Sequence, residues 1–268
     1  MQKTVIVVPC YNEEKRLNAE AFLAAAAKDR DLYFLFVNDG STDNTLSVLE
    51  FLKKSNPSQI SYLNLEKNSG KAEAVRRGMC RAVEDGCAIT GYWDADLATP
   101  LEEIEKFRKV LVENDLDLVI GSRVKLLGKD IKRKALRHYI GRAFATFASH
   151  LLRIAVYDTQ CGAKIFRNTP DLRLVIGSPF KVDWIFDVEL LARMIIILKE
   201  KGSEDFISGW FEYPVSRWAD IRGSRVKMTD FLRAGVDCLK IFCCLYAPFL
   251  SRRYKQYILG KNPVLSSK

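Results

Sequence analysis

The chain has 268 residues and a formal net charge of +9, from 42 Lys and Arg against 33 Asp and Glu. With 48% hydrophobic and 28% charged residues it has the composition of a globular protein, which excludes a wholly disordered or fibrous chain. Seven irregularly spaced cysteines and only two histidines argue against a disulfide framework, a zinc site or a Ser-His-Asp triad.

The first 120 residues alternate between apolar, β-branched runs and amphipathic segments. The apolar runs predict strands at residues 4–8, 33–37, 60–65, 88–93 and 116–121. Helices are predicted between them at residues 13–28, 42–54, 70–85 and 101–114. Continuous apolar strands separated by amphipathic helices indicate a parallel sheet covered on both faces, so the predicted fold class is α/β.

The second half of the chain is less regular. Its pattern predicts helices at residues 134–156, 186–199 and 228–250, and an extended strand at residues 206–218. There is no internal repeat and no Gly/Ser linker in the sequence. We therefore predict one domain at residues 1–226 and a helical C-terminal extension at residues 227–268.

The C-terminal extension contains a ten-residue apolar run at 241–250, which is too short to span a membrane. Basic residues flank this run on both sides: Lys240, Arg252, Arg253 and Lys255. An apolar face bordered by basic residues indicates a helix that lies on an anionic membrane surface. A plain hydrophobic docking helix or a dimer contact is the alternative interpretation.

Candidate functional residues follow three of the predicted strands. In an open α/β sheet, ligands bind outside the carboxyl ends of the strands. The polar segments at these ends are residues 9–13 (PCYNE), 38–41 (NDGS) and 94–96 (DAD). We therefore expect all three to lie along one edge of the sheet, although residues 38–41 alone are also typical of a turn and helix cap.

Asp94 and Asp96 are the strongest candidates for a metal site. In an extended segment, residues i and i+2 point to the same side, so both carboxylates can face one point. Two close carboxylates repel each other and raise one pKa, and a hard divalent ion such as Mg²⁺ or Mn²⁺ relieves that repulsion. The sequence thus predicts Asp94 and Asp96 as metal ligands, with a role in capping the following helix as the alternative.

The sequence contains neither of two glycine-rich loops that bind nucleotide phosphates, GxxxxGK[S/T] and GxGxxG. We therefore expect basic side chains to help to bind any phosphates. Arg123 follows the fifth predicted strand and is one candidate, with an ordinary surface arginine as the alternative. Residues 68–71 (NSGK) follow the third strand and open the third helix, a turn suited to an anion or a base. Lys71 is the basic residue of this turn.

Four ordered motifs resemble those of family-2 glycosyltransferases with the GT-A fold: residues 8–14 (VPCYNEE), 38–43 (NDGSTD), 68–71 and 94–96. Residues 158–166 (DTQCGAKIF) and 184–191 (WIFDVELL) are similar to the branch that makes dolichyl-phosphate or polyprenyl-phosphate glucose, with the mannose synthases as close relatives. The resemblance extends over residues 4–226.

This resemblance implies a nucleotide-diphosphate sugar donor, with UDP favoured, a Mg²⁺ or Mn²⁺ cofactor, and inversion at the anomeric carbon. The residues that it assigns to the base and ribose are Pro9, Tyr11, Glu13 and Asp39. It assigns Asp94 to the ribose and metal, and Asp96 to the metal on the diphosphate. The residues that it brings near phosphates are Arg123, Gln160 and Arg225. Ala98 stands where mannose synthases often have a metal-ligating side chain, which favours the glucose branch.

The acceptor that the resemblance implies is a polyprenyl or dolichyl phosphate. With a second pKa of about 6, such a phosphate is mostly dianionic at neutral pH and needs no general base. A saccharide hydroxyl would require a carboxylate base, and Asp187 is the candidate catalytic residue for that role. The alternative interpretation of Asp187 is a helix N-terminal aspartate.

Three functions compete with lipid glycosylation. One is a transferase of the same fold that acts on a saccharide hydroxyl in surface polysaccharide synthesis, and another is a nucleotide-sugar-binding protein without turnover. Nucleic-acid binding, suggested by the charge, has no supporting motif. Eukaryotic glucose synthases begin with a membrane-spanning helix, whereas this sequence starts at the first strand. We therefore expect a cytoplasmic enzyme peripherally associated with the membrane.

Overall fold

The computed structural model describes residues 2–132, 135–203, 205–219 and 228–260. The strands in this part of the chain are β1 (Thr4–Cys10), β2 (Leu32–Asp39), β3 (Ile60–Leu65), β4 (Ile89–Trp93), β5 (Leu118–Ser122), β6 (Asp130–Lys132), β7 (Ala163–Arg167), β8 (Trp210–Pro214) and β9 (Arg217–Ala219). The α-helices are α1 (Ala19–Lys28), α2 (Thr45–Ser55), α3 (Lys71–Glu84), α4 (Glu102–Glu113), α5 (Ala135–Leu152), α6 (Pro170–Gly177), α7 (Phe186–Glu200), α8 (Met228–Tyr246) and α9 (Pro248–Ile258).

The central sheet has seven strands in the order β3-β2-β1-β4-β7-β5-β8. The pairs β1–β2, β2–β3, β1–β4 and β5–β8 are parallel, which confirms the predicted α/β class. Strand β7 was not predicted, and it runs antiparallel between β4 and β5. Because β7 enters the sheet where its parallel neighbours end, the loop that precedes it lies at their carboxyl edge.

Helices cover both faces of the sheet, as the continuous apolar strands predicted. Ile6 and Val8 of β1 point into one core, whereas Val7 between them points into the other. On the first face, the ring of Phe22 from α1 makes edge contacts with Phe34 and Phe36 of β2. The core on the opposite face includes residues of α3, α6 and α7. Burial on both sides explains why β1 and β2 lack apolar–polar alternation.

Several predicted boundaries were wrong. The first helix begins at Ala19 rather than residue 13, because Asn12 takes a positive φ of 54° and the Asn18 side chain caps the helix by accepting the Ala21 N–H. The predicted strand at 206–218 is a 3₁₀ turn followed by two strands, of which β8 pairs with β5 and β9 pairs with β6.

The predicted helix at 228–250 is two helices, α8 and α9, bent by 90° at a break before Pro248. Proline has no N–H to continue the helical ladder, so it begins a new helix here. Both helices dock on the domain, because Cys238, Ile241, Tyr254 and Ile258 are part of its core. The predicted domain boundary at 226 lies outside the described residues.

No single helix in the described ranges is long and apolar enough to cross a membrane. Residues 233–246 together with α9 reach the required length and composition only as a bent pair.

Candidate active site

The loops that follow β1 and β2 are hydrogen-bonded to each other at the carboxyl edge of the sheet. The Asn12 N–H donates to Ser41 Oγ at 3.0 Å, and the Thr42 N–H donates to Asn12 Oδ1 at 2.8 Å. The Glu13 N–H donates to Thr45 Oγ1 at 2.7 Å. These contacts bring together the first two predicted motifs. The first motif includes Pro9, near the end of β1, and Tyr11, whose side chain is partly exposed.

Asp39 fixes the turn that opens α3. Its buried carboxylate accepts the Ser69 N–H at 2.7 Å and the Gly70 N–H at 2.9 Å. Burial raises the pKa of Asp39 above its ordinary value, although the two amide bonds act in the opposite direction. Gly40 has a φ of +61°, and a Cβ added to it would lie 2.4 Å from the backbone of Lys67 and Asn68, so glycine is required there.

The acidic motif after β4 lies in a turn, so the predicted extended geometry is wrong. The Leu97 N–H donates to the Asp94 carbonyl at 3.2 Å, and Leu97 has a φ of +55°. Lys71 Nζ lies 2.5 Å from Asp94 Oδ1, and an Arg16 Nη lies 3.5 Å from Asp96 Oδ2. The turn still brings both carboxylates to the same edge, and each is paired with a cation.

The charge of Asp94 acts on Asp96, as the sequence predicted for two close carboxylates. Burial, and secondly the charge of Asp94, raise the pKa of Asp96. Burial lowers the pKa of Lys71, but Asp94, Asp187 and Asp96 outweigh this effect and raise it overall. A pair of repelling carboxylates supplies the hard oxygen ligands that Mg²⁺ and Mn²⁺ prefer, so these residues fit a divalent ion.

Asp94 and Asp96 have few candidate metal ligands beside them. Within the described ranges, no group of three or more His, Cys, Asp or Glu side chains is arranged to hold a metal ion. Glu13 is near this site, since its Oε2 lies 3.5 Å from Nε of Arg16, the residue that also contacts Asp96. A divalent ion at Asp94 and Asp96 would therefore take further ligands from substrate phosphates or water.

The loop at residues 157–162, here called the platform loop, lies beside this turn. Arg123 Nε and Nη2 donate to the two carboxylate oxygens of Asp158 at 2.6 and 2.7 Å. The Glu212 carboxylate accepts the N–H groups of Tyr157 and Asp158 at 2.8 and 2.6 Å. Arg123 is thus at the predicted edge, but its bidentate pairing favours a role in anchoring the platform loop over direct phosphate binding.

Gln160 carries an orphaned polar atom on the platform loop. Its Nε2 is buried and has no hydrogen-bond partner in the part of the chain that the structure describes. A buried amide donor without a partner suits an acceptor oxygen from a ligand, in keeping with the predicted phosphate contact. Arg225, the other predicted phosphate residue, lies outside the described residues.

Gly162 ends the platform loop and was not among the predicted site residues. Its carbonyl accepts the Asp94 N–H at 2.9 Å, and a Cβ at this position would lie 1.9 Å from Asp94 Oδ2. The Asp94 carboxylate therefore occupies the space that any larger residue would fill. The sequence carried a signal for this, a glycine within the DTQCGAK motif.

Asp187 is buried in the first turn of α7. Its Oδ1 accepts a hydrogen bond from Lys164 Nζ at 2.5 Å and another from the Tyr92 hydroxyl. Burial, and secondly Asp187, raise the pKa of Tyr92 well above its ordinary value, so its hydroxyl stays protonated. These contacts favour a counter-ion role for Asp187, whereas its predicted role as a base remains a prediction.

Comparisons with known proteins agree with this architecture. The model of the family described as glycosyl transferase family 2 matches residues 5–174. The chain belongs to that family. It is 31% identical over 251 residues to dolichyl-phosphate beta-glucosyltransferase ALG5C of Trichomonas vaginalis, covering 89% of this chain and 70% of the relative. It is also 31% identical over 257 residues to the human dolichyl-phosphate beta-glucosyltransferase, covering 88% and 74% respectively.

Solved structures share the fold at low identity. The mannosyltransferase PcManGT from Pyrobaculum calidifontis, in complex with GDP-Man and Mn²⁺, aligns with a TM-score of 0.59 and 16% identity over 97% of this chain and 72% of that one. Glucosyl-3-phosphoglycerate synthase from Mycobacterium tuberculosis, in complex with UDP, aligns with a TM-score of 0.54 and 15% identity over 97% and 80%. The GT-A fold prediction is confirmed, and the chain is a glycosyltransferase.

Proposed function

We propose that this enzyme transfers a hexose, with glucose favoured, from a nucleotide-diphosphate sugar to a polyprenyl or dolichyl phosphate, with inversion. UDP is the favoured nucleotide, and Mg²⁺ or Mn²⁺ the cofactor. The names of the similar proteins from Trichomonas and human support a lipid phosphate acceptor and glucose. The complexes of two structural neighbours with UDP, and with GDP-Man and Mn²⁺, support the donor class and the metal.

The observation that carries the choice of acceptor is the pairing of Asp187. A saccharide hydroxyl must lose a proton to a base in the transition state, and a base needs a carboxylate in contact with that hydroxyl. Asp187 is buried, and its Oδ1 already accepts from Lys164 and Tyr92. A lipid phosphate is ionised before it binds, so this arrangement is compatible with its attack on the sugar.

The chain's own residues have distinct tasks in this proposal. Pro9, Tyr11, Glu13 and Asp39 line the part of the edge assigned to the nucleoside, and Asp94 and Asp96 would hold the metal. A bound divalent ion supplies charge neutralisation of the leaving diphosphate. Lys71, 2.5 Å from Asp94, adds a positive charge at the same place and offsets repulsion between the donor and acceptor phosphates.

The bend between α8 and α9 supports a membrane-surface location. Several large apolar side chains there are exposed: Val236, Leu239, Phe242, Phe249 and Leu250. Arg252 and Arg253 are exposed beside them, whereas the predicted contributors Lys240 and Lys255 are ion-paired with Asp237 and Glu200. Because the opposite sides of both helices are buried in the domain core, we infer that the bend rests on an anionic membrane surface.

A donor and acceptor panel tests the proposal. Labelled UDP-glucose, UDP-galactose and GDP-mannose are each offered with polyprenyl phosphate, with free polyprenol and with a saccharide. We expect sugar on the phosphate alone, with UDP-glucose as the best donor. Transfer to the alcohol, or to the saccharide while the phosphate is ignored, would refute it.

The variant Asp187→Asn separates the two acceptor classes. Asparagine keeps an oxygen that can accept from Lys164 and Tyr92, so a lipid phosphate transferase should keep most of its activity. A hydroxyl transferase that uses Asp187 as its base should lose about 10²–10⁴-fold in kcat. Circular dichroism of the variant confirms that the fold is retained before the rates are compared.

A further inference from the structure

Lys164 is a fully buried lysine at the second position of β7. Its Nζ donates to the Thr159 carbonyl at 2.9 Å, to the Cys161 carbonyl at 2.8 Å and to Asp187 Oδ1 at 2.5 Å. These three bonds use all three ammonium hydrogens. An ammonium group is costly to bury unless it is completely paired, so the three acceptors account for its presence among the buried apolar residues of this strand.

Two of the three acceptors, the carbonyls of Thr159 and Cys161, belong to the platform loop, and Cys161 adjoins Gly162 at the end of that loop. The Cys161 carbonyl is part of the same peptide group as the Gly162 nitrogen. Gly162 in turn accepts the Asp94 N–H at 2.9 Å and leaves the space that the Asp94 carboxylate occupies. The Lys164 ammonium therefore holds the peptide group that joins Cys161 to Gly162, and Gly162 contacts Asp94.

The other end of the platform loop has separate anchors. Arg123 donates to the Asp158 carboxylate. Glu212 accepts the N–H groups of Tyr157 and Asp158. Neither of them bonds to the carbonyls of Thr159 or Cys161 in these interactions. Lys164 thus anchors the platform loop through two backbone carbonyls that lie between Asp158 and Gly162.

We propose that Lys164 is a positioning residue for the donor site, with Asp187 as its counter-ion. Lys164 holds the Thr159 and Cys161 carbonyls in place, and this sets the position of Gly162 and the orientation of the Asp94 carboxylate toward the metal. The inference rests on the proposed function, in which Asp94 and Asp96 ligate a divalent ion. Residues that orient metal ligands in this way typically contribute about 10- to 100-fold to metal affinity or activity.

The test uses Lys164→Met, which keeps an unbranched side chain, shorter by one atom, and removes its donors. The double variant Lys164→Met/Asp187→Asn also removes the carboxylate charge that would otherwise be buried without its partner. The matched control is Arg193→Met. Arg193 lies in α7, six residues after Asp187, and is as buried as Lys164. It donates to the Glu189 carboxylate and to three backbone carbonyls, those of Val175, Ser178 and Pro179.

Mn²⁺ binding in the presence of UDP is measured by electron paramagnetic resonance, alongside the Tm of each variant. We expect both Lys164 variants to bind Mn²⁺ about 10- to 100-fold more weakly than the wild type. Arg193→Met should lower the Tm but keep wild-type Mn²⁺ affinity in the folded protein. If Lys164→Met does not fold, the double variant decides the question.

The outcomes separate the inference from the proposed function. Folded Lys164 variants with wild-type Mn²⁺ affinity overturn the positioning role and leave the proposed function intact. An equal loss of affinity in Arg193→Met also overturns it, because any buried charge would then have the same effect. A wild-type protein that binds no Mn²⁺ with UDP contradicts the metal-dependent function itself, and the positioning role with it.

Discussion

Replacement of Gly162 by alanine tests whether the platform loop sets the position of Asp94. The added Cβ would lie 1.9 Å from Asp94 Oδ2 and 2.2 Å from its Cγ, whereas Cβ atoms essentially never approach closer than 3.0 Å. The contacting atoms are the end of a side chain rather than backbone, so the carboxylate must retreat by about 1.1 Å. A misplacement of about 1 Å in a reacting constellation can reduce the rate about 100-fold.

The same substitution should change stability little, because two small effects oppose each other. Gly162 does not have a positive φ, so alanine fits the backbone and stabilises the protein by about 0.4–1 kcal/mol through the unfolded state. Displacement of Asp94 weakens its partly exposed pair with Lys71, which contributes up to about 1 kcal/mol. We therefore expect a Tm within about 4 °C of the wild type.

The assay measures sugar transfer, Mn²⁺ affinity with UDP and Tm for Gly162→Ala. Gly177→Ala is the matched control, since a Cβ on Gly177, at the end of α6, meets nothing within 4 Å. We expect about a 100-fold loss of transfer and weaker Mn²⁺ binding in Gly162→Ala alone. Wild-type transfer and Mn²⁺ affinity in that variant would show that the close approach to Gly162 does not determine the position of Asp94.

Three further predictions concern the metal, the pH dependence and the membrane. Asp96→Ala should abolish transfer without unfolding, and excess EDTA should do the same to the wild type; full activity in EDTA would contradict the metal site. Burial raises the pKa of Glu73, but hydrogen bonds from two α3 arginines outweigh it and lower the pKa below its ordinary 4.5. The wild type should therefore be more stable than Glu73→Gln, with the full difference above pH 4.5 and none once the pH has fallen through the lowered pKa. Urea unfolding of both proteins at pH 7 and pH 3 measures this difference in the free energy of unfolding. The same difference at both pH values would contradict the prediction. Replacing Arg252 and Arg253 by glutamine should weaken binding to anionic liposomes about 30-fold, at about 1 kcal/mol per charge. The control replaces Lys53 and Lys54, in the last turn of α2, by glutamine and should leave liposome binding unchanged.

The sequence alone determined the α/β class and the edge of the sheet at which the candidate site residues meet. Strands buried on both faces need apolar residues at every position, and this pattern is visible without knowledge of their neighbours. Parallel strands bring their carboxyl ends to one edge, so the motifs that contain Asp39 and Asp94 could be placed together from their order in the chain. The turn after β4 could not be predicted, because the apolar pattern of a strand does not show where its extended backbone ends, and the positive φ of Leu97 is visible only in the structure.

Only the tertiary structure decided the contacts around β7. A lysine interrupts the apolar pattern of this strand, and its burial is possible only because the platform loop and α7 supply the acceptors. In the same way, the sequence is compatible with Asp187 as a base or as a residue at a helix start. Only the structure shows that Lys164 and Tyr92 both donate to its carboxylate. The cost of burying a charge depends on partners from distant parts of the chain, and only the folded chain brings those partners together.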